Sequence, residues 1–275
     1  MVQKHTNFCA FFIPQKISAA SAADITSDNV VGYQKIDIAN GFTMIGTSFQ
    51  NIGADNSLNV QEIKASGLTG LDWSFATTAG DTLQIWDANS QMYQTTFYYA
   101  GDAYDEGGVM ETFGATPGSW FDTVTFAPAD FTLENGDAFW ILSSADDAKV
   151  TIAGEVPTTA NSVTIVSGFN MIANPYPKAV KINDLFTVTG LTGLDWSFAT
   201  TAGDTLQIWD PSSQMYLTTL YYAGDAYDEG GVMEAFGATP GSWFDTVTFA
   251  PAETEIPAGG AFWILSSGSG TLTFK

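Results

Sequence analysis

Three carboxylates, Asp102, Asp105 and Glu106, crowd into the segment YYAGDAYDEGG at Tyr98–Gly108. The same letters return at Tyr221–Gly231 with Asp225, Asp228 and Glu229. Three kinds of chemistry use acids at this density. Together with backbone carbonyls and water, each set could supply the roughly six to eight oxygens that Ca²⁺ takes, and no basic residue nearby offers an ion-pair partner instead. Separated pairs of carboxylates serve glycoside hydrolysis, for which Asp102 with Glu106, Glu111 and Asp122 are the candidates in the first copy. The third possibility is a solvated turn, because Asp and Gly are what turns use. The spacing is not that of an EF-hand: the alternating Asp/Asn positions and the closing Glu are absent.

The aromatic residues suggest a different activity. Trp73, Trp86, Tyr98, Tyr104, Trp120 and Trp140 recur as Trp196, Trp209, Tyr221, Tyr227, Trp243 and Trp263. Exposed Trp and Tyr faces stack on sugar rings while their polar tips form hydrogen bonds. Trp140 and Trp263 sit inside apolar runs and read as core. Trp120 and Trp243, flanked by Gly, Pro and Ser in TPGSWFDT, read as surface rings, and with Tyr104 and Tyr227 they form the expected ligand-binding set.

Composition removes many alternatives. The formal charge is −22, and all eight basic residues are lysine. Such a surface repels phosphate, so nucleic acid is not an expected partner. No run of about 18 apolar residues exists, so no membrane-spanning helix is expected. Cys9 and His5, the only residues of their types, both lie in the first nine positions. Lys4, the short apolar run Phe8–Ile13 and Ala20-Ser21-Ala22 resemble a secretory leader over residues 1–23, which places the protein outside a bacterial cell or on its surface. After cleavage no Cys, His or Arg remains. That excludes disulfides, Ser-His and Cys-His nucleophiles, and zinc sites built on thiolate or imidazole.

The acids and rings are carried by an internal repeat. Leu68–Ala129 matches Leu191–Ala252 without a gap at an offset of 123, with differences at Ala88/Pro211, Asn89/Ser212, Gln94/Leu217, Phe97/Leu220 and Thr112/Ala235. GDAFWILSS and GGAFWILSS extend the match, and GFTMIGTSF is related to GFNMIANPY. We expect one β module over residues 24–156 and a second over 157–275, joined through the polar AGEVPTTANS and arranged as two beads in preference to two halves about a pseudo-two-fold. Any site in the copied stretch should occur twice.

The strands that must position these residues show as period-2 patterns. In TLQIW, Leu83 and Ile85 share one face, with Gln84 and Trp86 on the other. Tyr93, Thr95, Phe97 and Tyr99 share a face, and Phe139 and Ile141 oppose Trp140 and Leu142. KIDIA-NG-FTMIG and SVTIV-SG-FNMIA read as hairpins. VQEIKASG is expected to give one helical turn. The fold class is all-β, two tandem antiparallel sandwich or barrel-like modules.

Gly168, Asn170, Ile172 and Pro175, then Gly203, Asp204, Ile208, Trp209, Asp210 and Tyr216, then Pro257, Gly259, Phe262, Trp263 and Ile264 approach a pattern GxNxI(G/S)xP, GDxIxxWD and PxGxAFWI, with Ala173 at the G/S place and Leu206 at the Ile place of the middle motif. It resembles a secreted bacterial β module often found in tandem. The first copy departs from it, with GTSF for ANPY and Glu134 for Pro257. The resemblance implies a fold and carries no catalytic residues. The expected function is therefore a non-enzymatic structural, self-assembling or adhesive role, with self-association as the partner. Lysine, which guards edge strands against pairing, is absent from both copied stretches. Binding of extracellular polysaccharide through exposed aromatics, with Ca²⁺ as a stabilising ion, comes second. A carboxylate glycosidase comes third, because a module of this size leaves little room for a cleft and no His or Arg supports the acids.

Overall fold

The computed structural model describes residues 31–53, 57–71, 80–101, 117–122, 124–125, 127–157, 161–194, 203–217, 219–224, 239–245 and 247–275. Val31–Lys275 pack as one compact unit. The architecture is all-β, as the alternation of apolar residues predicts, and every strand-to-strand ladder among the described residues is antiparallel. No helix among the described residues is long and apolar enough to cross a membrane.

The first copy contains β1 (Val31–Ile38), β2 (Gly41–Gly46), β3 (Ser57–Asn59), a 3₁₀ turn at Val60–Glu62, β4 (Ile63–Ser66), β5 (Thr82–Asp87), β6 (Met92–Tyr99), β7 (Trp120–Asp122), β8 (Thr132–Glu134), β9 (Ala138–Ser143) and β10 (Ala148–Glu155). The second contains β11 (Ser162–Ile165), β12 (Gly168–Ala173), β13 (Val180–Lys181), α1 (Ile182–Leu185), β14 (Phe186–Thr189), β15 (Thr205–Asp210), β16 (Met215–Tyr216), β17 (Leu220–Tyr222), β18 (Trp243–Asp245), β19 (Glu255–Ile256), β20 (Ala261–Ser266) and β21 (Gly270–Phe274). Each copy folds a larger sheet, β2-β9-β5-β6-β7 or β12-β20-β15-β17-β18, over a three-stranded sheet, β1-β10-β4 or β11-β21-β14. A two-stranded ladder, β3-β8 or β13-β19, completes each copy.

Residues of alternate parity fill the space between the sheets. In the first copy Ile45, Leu83, Ile85, Phe139 and Ile141 meet Ile38, Ile63, Val150 and Ile152. In the second copy Ile172, Leu206, Phe262 and Ile264 meet Ile165, Phe186, Leu272 and Phe274. The opposite faces of the two larger sheets, bearing Met44, Trp140, Met171 and Trp263, form a third core that joins the copies.

Two local expectations are corrected. The Asn-Gly and Ser-Gly turns do not close hairpins: β1 pairs with β10 and β2 with β9, and likewise β11 pairs with β21 and β12 with β20. Each turn is a corner between the two layers of its sandwich. Asn40 Nδ2 ties the first corner to the Ser144 carbonyl and the Asp146 carboxylate, and Gly41 takes φ 101°, open to Gly at low cost. Tyr93 does not share the face of Phe97. The β5–β6 register shifts at Ile85/Trp86, so that Trp86 pairs with Tyr93, and this bulge turns the Tyr93 ring onto Trp86, 5.2 Å away. The single helical turn expected in VQEIKASG is the 3₁₀ turn at Val60–Glu62. Its counterpart α1 was not anticipated.

Candidate functional site

The acidic candidates Asp102, Asp105, Glu106, Asp225, Asp228 and Glu229 lie outside the described residues, as do Tyr104, Tyr227 and Glu111. The residues that flank these segments are described. Leu71 bridges to Ala100 in parallel, and Gly70 and Gly101 pack so closely that a Cβ built on Gly70 would lie 2.1 Å from Gly101. The Gly118 N–H donates to the Ala100 carbonyl at 2.7 Å, so the described residues on either side of positions 102–116 lie side by side. Beneath them Asp81 is buried. It accepts hydrogen bonds from the Thr69 N–H and Ser143 Oγ, each at 2.8 Å, the Ser144 N–H at 2.8 Å and Ser144 Oγ at 3.0 Å. Asp204 repeats the arrangement with Thr192, Ser266 and Ser267. These carboxylates are committed to holding backbone. Asp122 is likewise occupied, accepting from the N–H groups of Val124 and Thr125 in a turn. Among the described residues no group of three His, Cys, Asp or Glu side chains is placed to hold a metal.

Trp120 and Trp243 are not surface rings. They are 1% and 2% exposed and belong to the cores of their own sandwiches. The Trp120 indole N–H donates to the Ile63 carbonyl at 2.9 Å, and its ring lies edge-on to Tyr99. The flanking Gly and Pro form the turn that leads into β7. They do not lift the ring into solvent, because the following strand points Trp120 inward. No sugar can stack on these faces, and this part of the expected ligand set is withdrawn.

A group of accessible aromatics lies on the seam between the copies, and the repeat places its members in equivalent pairs. Trp86 Nε1 donates to the Phe169 carbonyl at 2.9 Å, and Trp209 Nε1 donates to the Phe42 carbonyl at 2.8 Å. Gln91 clasps the Phe169 backbone through both its amide atoms, at 2.7 and 3.0 Å, and Gln214 clasps Phe42 at the same distances. Both glutamines hold φ near 55°, a left-handed conformation that costs about 1 kcal/mol and is maintained by this paired grip. The rings continue across the seam: Trp86 packs edge-on to Trp263 and Trp140 edge-on to Trp209, each pair 5.3 Å apart. Tyr93 and Tyr216 cap the two halves. Burial and mutual repulsion of the ionised forms push the Tyr93 phenol up, with the Trp140 N–H opposing; burial pushes Tyr216 up, with the Trp263 N–H opposing. Tyr93 and Tyr216 are 46% and 44% exposed, and Met92, Met215 and Leu217 beside them are also exposed. Sequence reasoning placed Tyr93 on the wrong face and so missed this surface. The repeated pair Trp86/Trp209, half-buried and facing away from each sandwich core, was the available signal.

Below the seam two equivalent clefts open, one in each copy's shadow. The cleft of about 230 Å³ is lined by Trp86, Asp87, Phe131, Asp137, Val163 and Met171. The cleft of about 330 Å³ is lined by Trp209, Pro211, Gly260, Ile36, Asp37 and Met44. The first carries Asp137 where the second has Gly260. Burial pushes the Asp137 carboxyl up to about 6, the Glu134 N–H that it accepts at 2.8 Å opposing this and the Glu134 charge adding to it.

No family model matches the chain, and no curated protein matches it. A solved structure, "Crystal Structure of the STIV MCP", aligns over 89% of this chain and 90% of that one at 8% identity and a TM-score of 0.14, a likeness too slight to carry an argument.

Proposed function

We propose that this is a non-enzymatic, secreted or cell-surface β-repeat protein of the tandem type its motifs resemble, acting in self-assembly or adhesion. The observation that carries the proposal is the exposed apolar surface at the seam. Met92, Tyr93, Met215, Tyr216 and Leu217 stand between 44% and 63% exposed, on β-hairpins of both copies that grip each other. Single exposed apolar residues are ordinary, but a cluster of this kind marks an interaction surface. Its pseudo-two-fold arrangement suits a self-complementary contact with a second molecule. The charge of −22 opposes that contact, so salt should favour it.

Sedimentation velocity across a concentration series tests this. Self-association is expected to strengthen from low to high ionic strength and to be lost in the Met92→Ser, Met215→Ser double variant, whose changes are at the surface. A strict monomer at high concentration and high salt would sink the proposal.

Polysaccharide binding is favoured by one specific feature, the partly exposed Tyr93 and Tyr216 rings backed by Trp86 and Trp209. It predicts tryptophan quenching by soluble glycans that disappears in Tyr93→Ala, Tyr216→Ala, with no dependence on protein concentration.

A further inference from the structure

The two clefts beside the seam are built from equivalent residues, but the acid lining the second, Asp37, is paired with Lys149, whereas the first holds acids that no lysine faces. Asp137 enters the first cleft from the β8–β9 turn, and Gly260 takes its place in the second. The walls around Asp137 mix apolar side chains, Trp86 from β5, Phe131, Val163 from β11 and Met171 from β12, with the neutral polar groups of Gln94, Thr164 and Asn170. No lysine lines this cleft, and the ion pairs formed among the described residues, Lys149–Asp37 and Lys181–Glu253, lie elsewhere. The charged groups that face Asp137 are Glu134 from its own turn and Asp87 from the end of β5, both acidic; β11 and β12 contribute none. A carboxylate held in a partly enclosed recess beside other acids and without a counter-cation is costly, and a bound cation would relieve that cost.

We propose that this cleft is a binding site for a small organic ammonium ion, whose charged nitrogen pairs with Asp137 while its short apolar tail lies against Trp86 and Met171. One carboxylate from the turn and one from β5 cannot complete the roughly six to eight oxygens of a Ca²⁺ site, whereas an ammonium needs only a few acceptors and gains from the Trp86 ring. The volume of about 230 Å³ restricts the ligand to a few heavy atoms. Binding and ionisation of Asp137 are linked, so protonation of the carboxyl competes with the ligand.

The full chain should be titrated with n-butylammonium chloride at fixed ionic strength, following tryptophan fluorescence and broadening of the ligand's NMR lines. n-Butanol serves as the neutral counterpart. A saturable response to the amine and none to the alcohol is expected at pH 8. Affinity should fall about tenfold at pH 5, where a carboxyl with a pKa near 6 is mostly protonated. Asp137→Asn, which keeps an oxygen to accept from the Glu134 N–H, should bind at least tenfold more weakly at pH 8 with an unchanged circular dichroism spectrum. Absence of saturation, an equal response to the alcohol, or undiminished binding by folded Asp137→Asn would each overturn the proposal.

Discussion

Trp120 fills its sandwich core and gives its single polar hydrogen to the Ile63 carbonyl, so removing the ring leaves both a cavity and an orphaned acceptor. Trp120→Ala is expected to lose about 3–5 kcal/mol in urea unfolding, whatever ligand is present, while Trp120→Phe should lose less because it retains most of the packing. A variant that unfolds no more readily than the parent would contradict this placement. The sequence around Trp120 misleads for a physical reason: Gly, Pro and Ser report the turn that precedes the ring, whereas its direction is set by the pleat of the strand that follows. Asp137 shows the converse, since nothing in GDAFW marks its Asp as a cleft residue until the other copy is packed beside it. Its carboxyl binds a proton more tightly folded, with a pKa of about 6, than unfolded, where it lies near 4. The folded state therefore carries more protons between these values, and this group's contribution declines as pH rises through that window, being most favourable below it. Asp137→Asn should accordingly raise the unfolding free energy at pH 8 by about 1–2 kcal/mol, discounted for the partial exposure of the group, and change it little at pH 4. Thermal melts of both chains at the two pH values measure this directly.

Among the elements, the strand faces were readable because a period of two separates core from seam: Leu83 and Ile85 enter the sandwich core, and Trp86 lies against the seam. Element existence followed from the same pattern, but pairing did not. Asn-Gly and Ser-Gly between two strands are strong hairpin signals, yet here the strand before each turn joins one layer and the strand after it joins the other. A turn residue specifies local backbone and not which sheet receives the next strand, a choice made by long-range ladders with β9 and β10. The extra residue in β6 was equally hidden, because a bulge changes parity without changing composition. The Gly-Asp pair that opens GDxIxxWD, Gly203-Asp204 in the second copy and Gly80-Asp81 in the first, is the element-level device that sequence marked but left unexplained. Asp81 staples the segment before β5 to the end of β9 by accepting from Thr69, Ser143 and Ser144. Asp81→Ala should cost about 2–4 kcal/mol, since several hydrogen bonds to a buried charge are lost together. It should also expose the Thr69 and Ser144 amides to rapid hydrogen exchange. The Thr192 and Ser267 amides, held by Asp204, should remain protected, which gives the experiment a control inside the same molecule.

At the scale of the whole molecule the repeat is not two copies on a string. The second faces of both larger sheets are apolar, and they cover one another. The reciprocal bonds Trp86–Phe169 and Trp209–Phe42, Gln91–Phe169 and Gln214–Phe42, and Gly46–Gly259 and Ala173–Gly136 relate one half to the other by a pseudo-two-fold. The sequence showed the repeat but not this contact, because a strand apolar on both faces does not say what covers the second one. Positions that meet their own equivalents lie on the axis, and there identical residues compete for the same space. Gly46 and Ala173 are such a pair: a Cβ added at Gly46 would fall 1.9 Å from the Ala173 Cβ. The copies have to differ at this point, and one glycine suffices. Gly46→Ala should therefore push the halves apart and destabilise the protein by about 1–3 kcal/mol, as overpacking of a filled core does. Adding Ala173→Gly should recover part of that loss, the remainder reflecting the 2.8 Å approach of the new methyl to the Asp137 carbonyl oxygen. Because the two sites touch, their effects should be non-additive in a double-mutant cycle followed by urea unfolding. Strict additivity would mean that the seam is not packed about this axis.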